Sequence, residues 1–127
     1  MLCRHVDHLA RLQKEEVLLP GTSGYFGVKA NHVPIIAQLK PGVVELHSGT
    51  DVDKYFISGG FAFVHPGGVT DICVLEAATL DQIDITAVKQ ALAASQQDKG
   101  GNDYDEAVSR AAVEVYGALD AAMEGAK

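Results

Sequence analysis

Few side chains in this sequence are typed and spaced for bond-making chemistry, and each candidate fails on its surroundings. The opening run Cys3-Arg4-His5-Val6-Asp7-His8 holds metal-ligating residue types but lacks a second ligand pair at a familiar spacing. Glycines at 21, 24 and 27 are spaced like a phosphate cradle. They do not open a helix, and no Gly-Lys-Ser/Thr follows, so they read as turn glycines. Ser23, Ser48 and Ser58 have no His and Asp arranged to activate a hydroxyl. His32, His47 and His65 stand singly at strand ends or in loops, as surface or hydrogen-bonded residues do. Glu45, Asp71 and Glu76 alternate with apolar neighbours, the pattern of solvent-facing strand positions rather than of an acid–base pair. Catalytic residues, cofactor and metal are all expected to be none. The residues describe a protein that binds and transmits.

The elements that would position a binding surface are legible. The central stretch 19–46, LPGTSGYFGVKANHVPIIAQLKPGVVEL, sets Pro20-Gly21, Val33-Pro34 and Pro41-Gly42 between short apolar runs. Proline fixes φ and lacks an N–H, while glycine accepts positive φ, so each pair sets a turn or ends a ladder. Strands are expected at 15–19, 25–28, 35–39, 43–48, 54–58, 60–64 and 69–77, with a polar loop at 49–53. So many short strands with frequent turn signals predict a sandwich or barrel.

The period then changes. Asp81 or Asp84 is placed to cap a helix running to about Gln97, with Ile85, Val88 and Leu92 on one face. Asn102 can cap a second helix, and Asp103, Asp105 and Glu106 load its first turn, where acids complement the helix dipole. Tyr104, Val108, Ala111, Val115, Ala118 or Leu119, and Ala122 then form one long apolar stripe. Alanines beside both stripes let the helices approach closely, so an antiparallel hairpin is expected. The expected class is α+β and mostly β. Residues 1–14 form an atypical N-terminal segment, 15–80 a β-sandwich, and 81–127 a helical hairpin.

Composition limits the partners. At 127 residues and 47% hydrophobic content the chain can bury a core. A formal net charge of −7 argues against nucleic acid, which needs a basic footprint. Residues 81–127 hold nine Asp/Glu against four Lys/Arg, leaving a solvated acidic face suited to a basic partner. Cys3 and Cys73 do not make a disulfide framework, and Cys73 reads as a small core residue. No run approaches the roughly 18 apolar residues of a membrane span. Residues 1–14, MLCRHVDHLARLQK, read as an ordinary short helix, a frayed start, or a remnant of an organelle-targeting segment.

The residues match a known family at several points in register. Leu19-Pro20-Gly21, Gly24 with Gly27, Asn31-His32-x-Pro34, Leu39-Lys40-Pro41-Gly42, Ser58-Gly59-Gly60-Phe61 and Ile83-Asp84 keep their order over about residues 15–90. This set closely resembles the small central-stalk subunit of F-type ATP synthases, called delta in mitochondria and epsilon in bacteria and chloroplasts. Residues 31–46 are closer to mitochondrial members. The resemblance implies a β-sandwich followed by a two-helix hairpin, with no active site. It also implies a rotor role, coupling proton translocation to ATP synthesis by linking the gamma subunit to the membrane c-ring.

The implied location is the matrix side of the mitochondrial inner membrane, or the cytoplasmic side of a bacterial plasma membrane. The small mitochondrial epsilon subunit would be a further partner, and the alpha/beta head an indirect one. Ring contacts are expected near Tyr25, His32 and Lys40, and gamma contacts on the sandwich faces and along the hairpin. A free-standing binding module derived from the family is the alternative.

Four departures stand out. Residues 1–14 do not read as the strand that family members carry there, which would leave a sheet edge unpaired. Ala87 stands three residues after Ile83-Asp84, where nucleotide-binding bacterial members carry arginine. The hairpin has few basic residues, against the basic inhibitory hairpin of bacterial members. Tyr25 replaces a commonly acidic residue.

Overall fold

A computed structural model describes residues 15–97 and 101–125. The expected features of residues 1–14, including the missing strand, lie outside the described residues. The chain divides into two compact units, one ending at Thr79 and the other starting at Leu80.

The first unit is built from eight strands: β1 Glu16–Gly21, β2 Gly24–Lys29, β3 Ile35–Leu39, β4 Gly42–Ser48, β5 Asp51–Ile57, β6 Gly60–Val64, β7 Thr70–Val74 and β8 Ala77–Thr79. All pairings are antiparallel. The strand order is β7-β6-β3-β1-β4-β5-β8, with β2 paired to β1.

The expected sandwich is thus one hydrogen-bonded sheet that folds over on itself, and β1 is its corner. One edge of β1 carries β2 along its whole length. The other edge meets β4 over Glu16–Leu18 and then β3 at Gly21 alone. Pro20, which has no N–H to donate, stands between those two pairings and is fully buried. Proline is tolerated where the ladder is interrupted.

Alternation sends Leu19, Val28, Leu39, Val44, Leu46, Ile57, Ala62, Val64 and Val74 into one core shared by both halves of the folded sheet. A sheet with one face buried has its register set by that alternation, because a one-residue slip would turn every core side chain outward.

Three boundaries differ from expectation. Pro20-Gly21 does not end its strand; it continues the ladder, with Pro20 opposite Tyr25 and Gly21 opposite Gly24. The polar loop at 49–53 shrinks to Gly49-Thr50, because Ser48 and Asp51 already pair. The strand expected at 69–77 is broken at Leu75-Glu76, where the chain leaves β6 and crosses to pair with β5. Hydrophobicity marks such a run as buried without saying which neighbour covers it.

In the second unit a 3-10 turn, Leu80–Gln82, precedes α1 (Ile85–Gln97) and α2 (Asp103–Gly125). Asp84 is the cap of α1. Its Oδ1 accepts from Thr86 N–H at 2.9 Å and Ala87 N–H at 3.4 Å. Asn102 caps α2, its Oδ1 accepting from Asp105 N–H at 2.9 Å. Asp84→Ala should cost about 1 kcal/mol of helix stability, as lost N-caps do, read as reduced helical ellipticity and a lower melting temperature of that unit.

The apolar stripe of α2 is covered only toward its C-terminal half. At 1.5 Å per residue, α2 is about 15 Å longer than α1. The Lys89 Nζ–Glu124 Oε1 approach of 3.9 Å sets the first half of α1 beside the last turns of α2. Val88 and Met123 are buried, while Tyr104 and Val108 are exposed.

Candidate protein-binding surfaces

The folded sheet has two ends. One end gathers the β1–β2 turn, the β3–β4 turn, the β5–β6 turn and the β7–β8 break, as the pairs Gly21–Leu39, Leu39–Gly60 and Gly60–Val74 require. The opposite end holds residues 30–34, Gly49-Thr50 and the β6–β7 turn.

Tyr25 and Lys40 belong to the first end. Tyr25 is exposed, and its Oη accepts a hydrogen bond from Val43 N–H at 3.3 Å. Lys40 is exposed and its backbone N–H donates to Pro20 O at 2.9 Å. His32 lies at the other end, beyond the far terminus of β2. There Asn31 adopts φ 62° and His32 N–H donates to Lys29 O at 3.2 Å, a turn that asparagine's tolerance of the left-handed region allows. The His32 ring lies on Val33 O, Nδ1 to O 2.8 Å. The three residues are therefore not one cluster. Tyr25 lies on β2, Lys40 in the β3–β4 turn at the same end, and His32 past the other end of β2. The six residues of β2 span about 20 Å, and among the described strands β2 pairs with β1 alone.

The outward face of β3-β6-β7 is the surface that inspection of single motifs missed. Ile36 stands opposite Phe63, and Gln38 opposite Phe61, on neighbouring strands. Ile36 is 74% exposed and Phe61 38%. Phe63 is half-buried, faced across the ladder by Asp71, as Phe61 is by Cys73. At the rim, His65 Nε2 and Asp71 Oδ2 are 2.7 Å apart.

An apolar group on the outer face of a three-stranded half-sheet is what a protein interface requires. Its signal is present in the run Gly60-Phe61-Ala62-Phe63-Val64, which is apolar on both faces where a half-solvated strand would alternate. Cys73, read as a core residue, is half-buried on this outer face, because the core position next to it is Val74.

The outward face of the other half is charged instead. Lys54 Nζ approaches Glu45 Oε1 at 3.1 Å, His47 Nε2 approaches Glu45 Oε2 at 3.2 Å, and Lys29 lies 4.0 Å from Glu16. Burial alone would raise the Glu45 carboxyl. Hydrogen bonds from Lys54 and His47, with their charges, outweigh it and hold the group below the usual glutamate range.

A lowered carboxylate contributes stability that is present above its unfolded value and lost as pH falls through the folded one. Removing the ammonium by Lys54→Met should therefore raise the Glu45 titration midpoint, followed by carboxyl NMR, and start acid unfolding at a higher pH.

Among the described residues no group of His, Cys, Asp and Glu is arranged to hold a metal, and no helix is long and apolar enough to cross a membrane.

Comparison with known proteins agrees with this architecture. Residues 7–79 match the family described as ATP synthase, Delta/Epsilon chain, beta-sandwich domain. The chain is 44% identical over 121 residues to ATP synthase subunit delta', mitochondrial, of Ipomoea batatas, covering 94% of this chain but 60% of that protein. It thus spans about three fifths of that plant relative. It is also 44% identical over 127 residues to ATP synthase subunit delta, mitochondrial, of Pichia angusta, covering 97% of this chain and 78% of that one.

A chain in the cryo-EM structure of the Euglena gracilis mitochondrial ATP synthase superposes with a TM-score of 0.79 at 32% identity. The match covers 87% of this chain and 70% of that chain. A sandwich-family match over more than half the chain, 44% identity to the Pichia angusta subunit over 78% of its length and a shared fold lead to one conclusion: the chain belongs to the ATP synthase delta/epsilon family.

Proposed function

We propose that this chain is a non-catalytic rotor subunit of an F-type proton-transporting ATP synthase, on the matrix side of the mitochondrial inner membrane. In this reading it links the gamma shaft to the c-ring and carries torque between them. The observation that carries the reading is the apolar outer face of β3-β6-β7 on a chain of this family.

Ile36, Phe61 and Phe63 would be the anchors for gamma, since large apolar side chains at the centre of an interface dominate affinity. The folded sheet suits torque transmission because its two halves share one core and one hydrogen-bonded network, and close-packed interiors transmit strain.

The ring contact would run along β2, from Tyr25 and Lys40 at one end toward His32 at the other. The small mitochondrial epsilon subunit would be a further partner, and the alpha/beta head would be reached only through gamma. The test is co-purification of the tagged full chain with gamma and a c-ring. A stoichiometric complex is expected. A chain that stays alone at about micromolar concentration, where specific complexes of moderate affinity form, would instead favour a free-standing binding module.

A further inference from the structure

β7 ends the strand order of the first unit, and among the described strands it pairs with β6 alone. The ladder shows which of its backbone groups face outward. His65 N–H donates to Val69 O at 2.8 Å, so 65–69 is a hydrogen-bonded pair at the mouth of the hairpin. Bonded and open pairs alternate along an antiparallel ladder. Phe63–Asp71 and Phe61–Cys73 are then bonded pairs too, and Thr70, Ile72 and Val74 turn their N–H and C=O groups away from β6.

That edge lacks the usual defences. Natural edges are blunted by proline, lysine, bulges or brevity. β8 has three residues, and β2 carries Gly24, Gly27 and Lys29. β7 reads TDICV, rich in β-branched residues and flanked by two exposed apolar ones, Val69 at 54% and Leu75 at 81%. Its one charge, Asp71, lies on the outer face with its carboxylate 2.7 Å from His65 Nε2.

The same edge is complementary to itself. Two copies of β7 laid antiparallel about Ile72 set Thr70 opposite Val74, Ile72 opposite Ile72 and Val74 opposite Thr70. Those are the residues with outward backbone groups, so each pair can exchange two hydrogen bonds. Asp71 then faces Cys73 rather than another Asp71, which avoids a like-charge pair. Val69 comes opposite Leu75 at both ends. Ile72, packed on the core yet only half-buried, meets its twin. Reciprocal pairing of this kind is what a two-fold interface requires.

We propose that the chain, when not bound in a complex, forms a two-fold dimer in which the β7 edges join two sheets into one. The occupant of the edge is a second copy of this chain, and the dimer does not depend on the rotor role. The five residues of β7 bury less than the roughly 1,200 Å² of a standard interface, so a dissociation constant in the micromolar range or weaker is expected.

The test is sedimentation equilibrium of the full chain under reducing conditions, so that cysteines cannot link copies. Concentrations from about 1 µM to about 500 µM bracket such an affinity, and amide exchange is followed at both limits. A monomer–dimer equilibrium is expected. Exchange at Thr70, Ile72 and Val74 should slow as concentration rises, while Asp71 and Cys73, already bonded to β6, should not respond.

Thr70→Pro should keep the fold, because proline is tolerated where an edge N–H faces water. It removes one donor from each copy. At about threefold to tenfold per bond, the dimer should weaken about tenfold to a hundredfold. Leu75→Lys, just outside the strand, should weaken it too, and a thermal melt checks that both variants are folded.

A monomer at every concentration overturns the proposal. Amides at 70, 72 and 74 protected even in that monomer would mean that another part of the same chain covers the edge. A dimer that leaves those amides unmoved, or that both variants leave intact, also overturns it and moves self-association to another face.

Discussion

Ile36→Asp is expected to abolish capture by gamma while the chain keeps its fold. Ile36 is 74% exposed on the outer side of β3, so the aspartate stays in water in the free protein, where surface changes cost about 0.5 kcal/mol. A strand interior disfavours aspartate, which raises that cost to about 1 kcal/mol. In a complex the same carboxylate would be desolvated beside Phe63 in a contact built for an apolar side chain. An unpaired buried charge costs several kcal/mol and hot-spot truncations cost about 2 kcal/mol or more, so the dissociation constant should rise on the order of a hundredfold or beyond.

Val52→Asp is the matched control. Val52 is also apolar and 41% exposed, but it lies on β5 in the charged half, so gamma capture should be unchanged. Binding titrations beside a thermal melt separate the two effects. Equal losses for the two variants would place the interface elsewhere.

Gly60→Ala should destabilise the first unit by about 3 kcal/mol or more, as backbone positions closed to a side chain do. Gly60 has φ +154°, and a Cβ there would sit 2.0 Å from Cys73 O and 3.1 Å from Val74 Cα. Those atoms cannot retreat, because Gly60 pairs with Val74 and Phe61 with Cys73 in the same ladder. Against a total stability of roughly 5–15 kcal/mol for a small domain, this is a large fraction.

Gly67→Ala separates the two causes of damage. Gly67 has φ +95° with nothing within 4 Å, so alanine there meets only local strain, about 1–2 kcal/mol. Urea unfolding should rank the two variants clearly apart. Equal midpoints would mean that the close approach at Cys73 relaxes at little cost.

Much of the architecture was legible because local signals and tertiary needs agree. Of the two caps open for the first helix, Asp81 and Asp84, it is Asp84 that caps, and Asn102 caps the second as expected. The apolar runs at 35–39 and 60–64 are β3 and β6 with the expected bounds. Pro20-Gly21 misled because proline's usual effect on a ladder is to end it, whereas here the chain changes partner strands at that point, which local propensity cannot express. The break at Leu75-Glu76 was hidden for a related reason: an apolar run shows burial but not the neighbour.

The candidate surface divided in the same way. Tyr25 and Lys40 could be named from their motifs, but their shared end, and His32 at the other, follow from the hairpin register. Ile35 and Ile36 share one apolar run, and only the ladder shows which faces the core: Ile35 lies inward beside Val64 and Ile36 outward. The apolar run 60–64 was the one available hint, since both faces of a strand are apolar only when both are covered.

The claim that gamma docks on the outer face of β3-β6-β7 is tested most directly by site-specific photo-crosslinking. A benzophenone amino acid would be placed in turn at positions 36, 61 and 54 of the full chain, within the assembled complex. Adducts to gamma from 36 and 61, with none from 54, are expected. Gamma adducts from 54 alone would contradict the account and move the interface to the charged half of the sheet.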